Sequence, residues 1–180
     1  MTASIDCSPD YCKKPVLVVG CGNVLFGDDG FGPAVIDYVL KGNNVPENVC
    51  FINAGSSVRE ILFNVALSER KPERIIVVDA MTCGRTAGTV AELELDAIPE
   101  KKRDDFSMHQ IPTSNLLREL RDGCGLEVKL VVLEPSEIPL EVKPGLSRIA
   151  GQAVKRAAGL VFKMCTLESL AEMEPIRSEQ

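Results

Sequence analysis

Two adjacent aspartates, Asp28 and Asp29, follow a glycine-rich turn, Asp79 closes a run of β-branched residues, and His109, the only histidine, stands in a long polar connection. Two carboxylates and one imidazole are a ligand set suited to a first-row transition metal with positions left open. A thiolate could join them only from Cys21 or Cys83. Each residue also has a plain structural reading. Aspartate is among the best helix N-caps, so Asp28 or Asp29 could simply cap a helix. A lone histidine is commonly structural or merely exposed. Two adjacent acids nevertheless exceed what one cap needs, and a helix N-terminus favours the ionised carboxylate, ready for a cation or a substrate.

The elements that must position these groups can be read from the pattern around them. Val16 to Val19 is a short continuous apolar run of the kind buried on both faces of a parallel sheet. Gly20 and Gly22 permit a tight turn, and a helix is expected to begin near Phe31 to Pro33, where proline is tolerated in a first turn, and to stop at Gly42. Two observations count against a dinucleotide fingerprint: Leu25 stands where the third glycine belongs, and two acids would repel a pyrophosphate.

Val49 to Asn53 reads as a second buried strand, followed by small and capping residues from Ala54 to Ser57 and a helix from about Val58, which Glu69 to Pro72 terminate. Arg74 to Asp79 is the third strand and delivers Asp79 at its carboxyl end. Thr82 to Gly88 is too short for a parallel crossover, so Thr89 to Leu95 is expected to run antiparallel at an edge. Residues 97 to 112 carry no core pattern, and a connection of that length is often functional. A helix capped by Thr113 or Ser114 and broken by Gly123 to Gly125 precedes a fifth strand, Val128 to Leu133. A proline-held loop follows (Pro135, Pro139, Pro144), then a final amphipathic helix on Leu146, Ile149, Ala153, Val154, Ala157, Leu160 and Val161.

This alternation specifies an α/β fold: a three-layer, mostly parallel five-stranded sheet in the order 2-1-3-5-4, strand 4 antiparallel, with helices on both faces. Ligands of such sheets bind beyond the strands' carboxyl ends at the switch point, here between strands 1 and 3. The expected organisation is a loose arm over residues 1–14, one domain over 15–164 and a polar tail over 165–180.

Composition narrows the class. A chain of 180 residues with 45% hydrophobic residues fills one core. A net charge of −6 gives nucleic acid nothing to bind. No apolar run approaches the ~18 residues that span a bilayer, and residues 1–14 lack the pattern of a signal peptide, so a cytoplasmic monomer is expected. Seven cysteines form no C-x-x-C pair; they read as reduced thiols, several of them buried, with Cys7 and Cys12 exposed in the arm.

Val18 to Gly32 (VVGCGNVLFGDDGFG), Ile76 to Ala80 (IVVDA) and His109-Gln110, in that order and spacing, resemble the [NiFe]-hydrogenase maturation endopeptidases, over roughly residues 15–164. Ala54 to Ser57 and the sequence around it are most similar to the members serving coenzyme F420-reducing hydrogenases. The resemblance implies an endopeptidase that removes the C-terminal extension of a hydrogenase large-subunit precursor. Asp29, Asp79 and His109 would contact nickel already installed in that precursor and form the catalytic site, with no tightly bound metal in the isolated protein. Many members carry glutamate at the place of Asp29, Asp-Gly-Gly at that of 53–55 and glycine at that of Pro112. Catalysis by a metal-polarised carbonyl or metal-bound water, positioned by Asp79 or Asp29, is one mechanism; a Cys83 nucleophile paired with His109 is another. A metal-dependent small-molecule hydrolase and a non-catalytic assembly factor are the alternative functions.

Overall fold

The computed structural model describes residues 8–42, 45–98 and 111–166, with side chains from Ser114 onward in the last stretch. All six residues of Val16–Cys21 (β1) are buried, which fits a strand covered on both faces. Alternate side chains go to opposite faces. Val16 and Val18 pack with Phe31, Ile36, Ala153 and Val161, and Leu17 and Val19 pack with Leu62, Val65, Leu117 and Leu120. The chain continues through Phe31–Lys41 (α1), Val49–Gly55 (β2), Val58–Leu67 (α2), Arg74–Ala80 (β3), Val90–Leu93 (β4), Ile111–Cys124 (α3), Glu127–Leu133 (β5) and Arg148–Met164 (α4).

The sheet order is β2-β1-β3-β5-β4. The pairs β1/β2, β1/β3 and β3/β5 are parallel, and β4 runs antiparallel to β5 with Val90 opposite Leu133. This is the expected topology, with helices packed on both faces. Among the described residues, no helix is long and apolar enough to cross a membrane.

Several boundaries and exposures differ from the sequence reading. In the described part of the arm, a 3-10 turn at Asp10–Cys12 lies against α2, with the Asn64 amide donating to the Tyr11 hydroxyl at 3.2 Å. Cys12 is therefore in the core rather than exposed, because it and Tyr11 cover apolar surface that the helices leave open; Cys7 lies outside the described residues. α3 starts at Ile111, so Thr113 and Ser114 lie within its first turn rather than capping it, and Pro112 takes an early position where a missing N–H costs little. Ile149 faces outward and Ala150 inward. At the other end Cys165 is buried, and the Arg74 guanidinium donates to the carbonyls of Met164 and Thr166, so the start of the polar tail is fastened to β3.

One contact governs how α1 meets the sheet. A Cβ added to Gly32 would stand 2.3 Å from the carbonyl oxygens of both Cys21 and Val78, and one added to Gly20 would stand 2.5 Å from the Gly32 carbonyl. Hydrogen in place of a side chain lets the first turn of α1 sit directly over the carboxyl ends of β1 and β3. Replacing Gly32 by alanine forces that helix off the sheet and should destabilise the fold by on the order of 3 kcal/mol. Denaturant unfolding measures it, and wild-type stability would refute the close approach.

Candidate active site

β1 and β3 lie side by side, but the next element leaves β1 for β2 on one side while β3 is extended by β5 on the other. Loops after such strands diverge and leave a crevice between them. Gly22, with φ +118°, turns the chain back so tightly that a Cβ there would stand 1.8 Å from the Asp29 carbonyl oxygen and 3.6 Å from Asp79 Oδ1. The turn after β1 thus brings Asp29 beside the end of β3, where Asp79 sits. The Asn23 amide donates to Asp29 Oδ2 at 2.7 Å, the Leu25 amide to Asn23 Oδ1 at 3.0 Å, and the Ala80 amide to Asp79 Oδ1 at 2.8 Å. Both carboxylates are oriented by backbone donors.

Asp29 and Asp79 line one cavity of about 50 Å³ together with Cys21, Gly22, Met81 and Ser114, over an apolar floor of Val77, Leu130 and Val132. The Cys21 thiol belongs to the same cluster. Burial, then the charges of Asp79 and Asp29, push its pKa well above the ordinary value. With no cation beside it the thiol form is favoured, which makes it a poor nucleophile. The expected sites are therefore brought together in part: Asp29 and Asp79 converge, while His109 lies outside the described residues. Among the described residues, no three His, Cys, Asp or Glu side chains form a group able to hold a metal ion.

The neighbouring aspartate has a different role. Neither Asp28 nor Asp29 caps α1, whose N-cap is Gly30 without a side-chain bond. Asp28 is 1% exposed, and it accepts four hydrogen bonds. Oδ2 receives the Ser136 amide at 3.0 Å, the Ser136 hydroxyl at 2.9 Å and the Ser147 hydroxyl at 3.0 Å, and Oδ1 receives the Ser147 amide at 2.7 Å. Burial opposes its ionisation, but these donors outweigh that and hold the carboxyl below its usual range. Ser147 caps α4 in the same arrangement, its hydroxyl accepting from the Ala150 amide at 3.2 Å.

Glu134, directly after β5, is a second buried carboxylate. Its Oε2 accepts the amides of Cys83 at 2.7 Å and Arg85 at 3.1 Å, which fixes the loop that follows Asp79. The anchoring roles of Asp28, Glu134, Ser136 and Ser147 escaped the sequence reading. The available signal was polar residues bordering the proline-held loop and an acid ending an otherwise apolar strand.

An α/β sheet with two backbone-oriented carboxylates at its switch point offers a candidate site at the strands' carboxyl edge, where ligands of such sheets bind. A family model described as hydrogenase maturation protease matches residues 33–164, and the chain belongs to that family of hydrolytic endopeptidases. A Methanocaldococcus jannaschii relative assigned to these proteases is 37% identical over 151 residues, 83% of this chain and 96% of its own. The delta subunit of coenzyme F420 hydrogenase from Methanothermobacter thermautotrophicus is 35% identical over 82% of this chain and 92% of its own. Among solved structures, the hydrogenase maturating endopeptidase HybD from E. coli shares the fold with a TM-score of 0.67 at 23% identity, over 83% of this chain and 90% of that one.

Asp28→Asn turns one acceptor atom into a donor facing two serines and should cost about 3 kcal/mol at neutral pH. A carboxyl whose folded pKa is depressed stabilises above its unfolded value, about 3.9, and loses that contribution as pH falls through the folded value. The gap between wild type and variant should therefore narrow below about pH 4. Urea unfolding across pH 3 to 7 reads both effects; a constant gap would show that Asp28 does not ionise preferentially in the fold.

Proposed function

We propose that the protein trims the C-terminal extension from a [NiFe]-hydrogenase large-subunit precursor once nickel is in place, touching that nickel through Asp29, Asp79 and His109. The observation that carries this reading is the convergence of Asp29 and Asp79 on one small cavity at the sheet's carboxyl edge. Two oriented carboxylates suit brief contact with a metal held by another protein, because they leave most coordination positions to that protein's ligands. In this reading the edge of a metal centre enters the cavity while an extended peptide lies outside it.

Hydrolysis adds water to the scissile carbonyl, breaks the C–N bond and delivers a proton to the departing amine. Asp79 or Asp29 orients the water and takes its proton. Likeness to the F420 hydrogenase delta subunit makes the precursor of an F420-reducing hydrogenase the first substrate to try. The protein is proposed to act in the cytoplasm as a monomer, without a metal of its own.

Mass spectrometry of nickel-loaded precursor before and after incubation should show loss of the C-terminal segment, with metal-free precursor left almost intact. Efficient cleavage of the metal-free form would remove nickel from recognition, and an unchanged loaded precursor would favour an assembly factor. Asp29→Asn and Asp79→Asn should each slow cleavage by about a hundredfold or more, whereas Cys83→Ser should retain activity. The reverse pattern would indicate a cysteine protease. Titrated nickel or cadmium should bind His109→Ala more weakly than wild type; equal affinity would remove His109 from the site.

A further inference from the structure

The opposite edge of the sheet gathers cations that the acidic site does not use. Pro15 and Glu73 stand directly before β1 and β3, whose first residues, Val16 and Arg74, are paired. The Glu73 and Arg74 amides donate to the Pro15 carbonyl at 2.8 and 3.1 Å, and the Arg70 amide donates to the Ser8 hydroxyl at 3.3 Å. Residues 12–15 and 70–73 are therefore held face to face. Between them lies a cavity of about 320 Å³ lined by Lys13, Lys14, Arg70 and Lys71, with Glu73 the acid among its described lining residues. That volume falls within the range of small-molecule sites.

Like charges around one space repel, and a bound anion relieves that repulsion. Lys14 Nζ donates to the Glu47 carbonyl and Lys71 Nζ to the Ser68 carbonyl. Both partners are neutral, so each ammonium is fixed in position yet keeps its charge and its remaining donors. Lys13 meets Asp10 at 2.9 Å, but the Asp10 side chain is 98% exposed, and so open an ion pair is held weakly. In a chain of net charge −6 the excess of cations is local, which suits a compact anion rather than a nucleic acid strand.

We infer that this cavity binds the phosphate groups of a small di- or triphosphate. Phosphate presents acceptor oxygens in several directions, so donors arriving from two segments can reach it together, whereas a carboxylate offers its oxygens in one plane. Arg70 adds a planar fork suited to the same group. The anion ties residues 12–15 to residues 70–73, so its binding stabilises the attachment of the N-terminal segment to the sheet. The site stands at the other ends of the strands that carry Asp29 and Asp79, and it does not depend on the proteolytic reading.

Calorimetric titration of pyrophosphate into wild type, without divalent cations, should show one site per chain, and the same addition should raise the melting temperature. Lys14→Gln/Arg70→Gln changes two exposed side chains, so its melting temperature without ligand should stay near wild type while its affinity falls at least tenfold. The control Lys155→Gln/Lys163→Gln removes the same charge from exposed positions of α4 and should bind like wild type. No binding by wild type, undiminished affinity in Lys14→Gln/Arg70→Gln, or an equal loss in the control would overturn the site. Citrate binding as tightly as pyrophosphate would overturn phosphate as the ligand. ADP separates two sources: tighter binding than pyrophosphate assigns a nucleotide, affinity no higher assigns an inorganic phosphate, and either upholds the site.

Discussion

The approach of Gly32 to the ends of β1 and β3 is the constraint on which the rest depends. No other residue type lets a helix backbone come within van der Waals reach of two strand carbonyls at once. Because α1 is seated there, the chain between β1 and α1 has only a short span to cover, and it must fold back on itself at Gly22. That fold-back lays Asp29 against Asp79. The acidic site therefore follows from helix-on-sheet packing, with a glycine at each point of closest approach.

Two buried carboxylates complete the edge. Leaving a charge in the interior without partners is prohibitive, so each one gathers donors, and the donors come from loops that would otherwise have no fixed position. Asp28 collects Ser136 and Ser147, and Glu134 collects the amides of Cys83 and Arg85. Strand ends and the loops beside Asp29 and Asp79 become one framework. The division of labour between Asp28 and Asp29 is a matter of direction: one carboxylate points into the protein and is saturated, while the other points into the cavity with Asn23 as its orienting donor.

What the sequence discloses is what local pattern encodes. Val16 to Val19 and Arg74 to Asp79 announce buried strands by composition, Pro33 and Gly42 bracket α1, and the brevity of Thr82 to Gly88 forces β4 to turn antiparallel, so strand order and direction were legible. The convergence of Asp29 and Asp79 at one edge was legible because the switch point follows from strand order. Cys12 was misplaced because its burial depends on apolar surface left by α2, which no local window contains. The role of Asp28 was hidden for the same reason: its partners lie more than a hundred residues away, and adjacent acids look alike until one of them meets its donors.

That separation has a consequence for assembly. Asp28 is 108 residues from Ser136 and 119 from Ser147, and closing a loop of that length costs entropy that only nearly complete folding offsets. During synthesis, β1 and α1 leave the ribosome long before the serines that will hold their junction, so the acidic edge cannot take its final geometry until the start of α4 has emerged. The acidic edge is fastened last, after every strand of the sheet is available, and a chain that ends before Ser136 lacks both serines that hold Asp28.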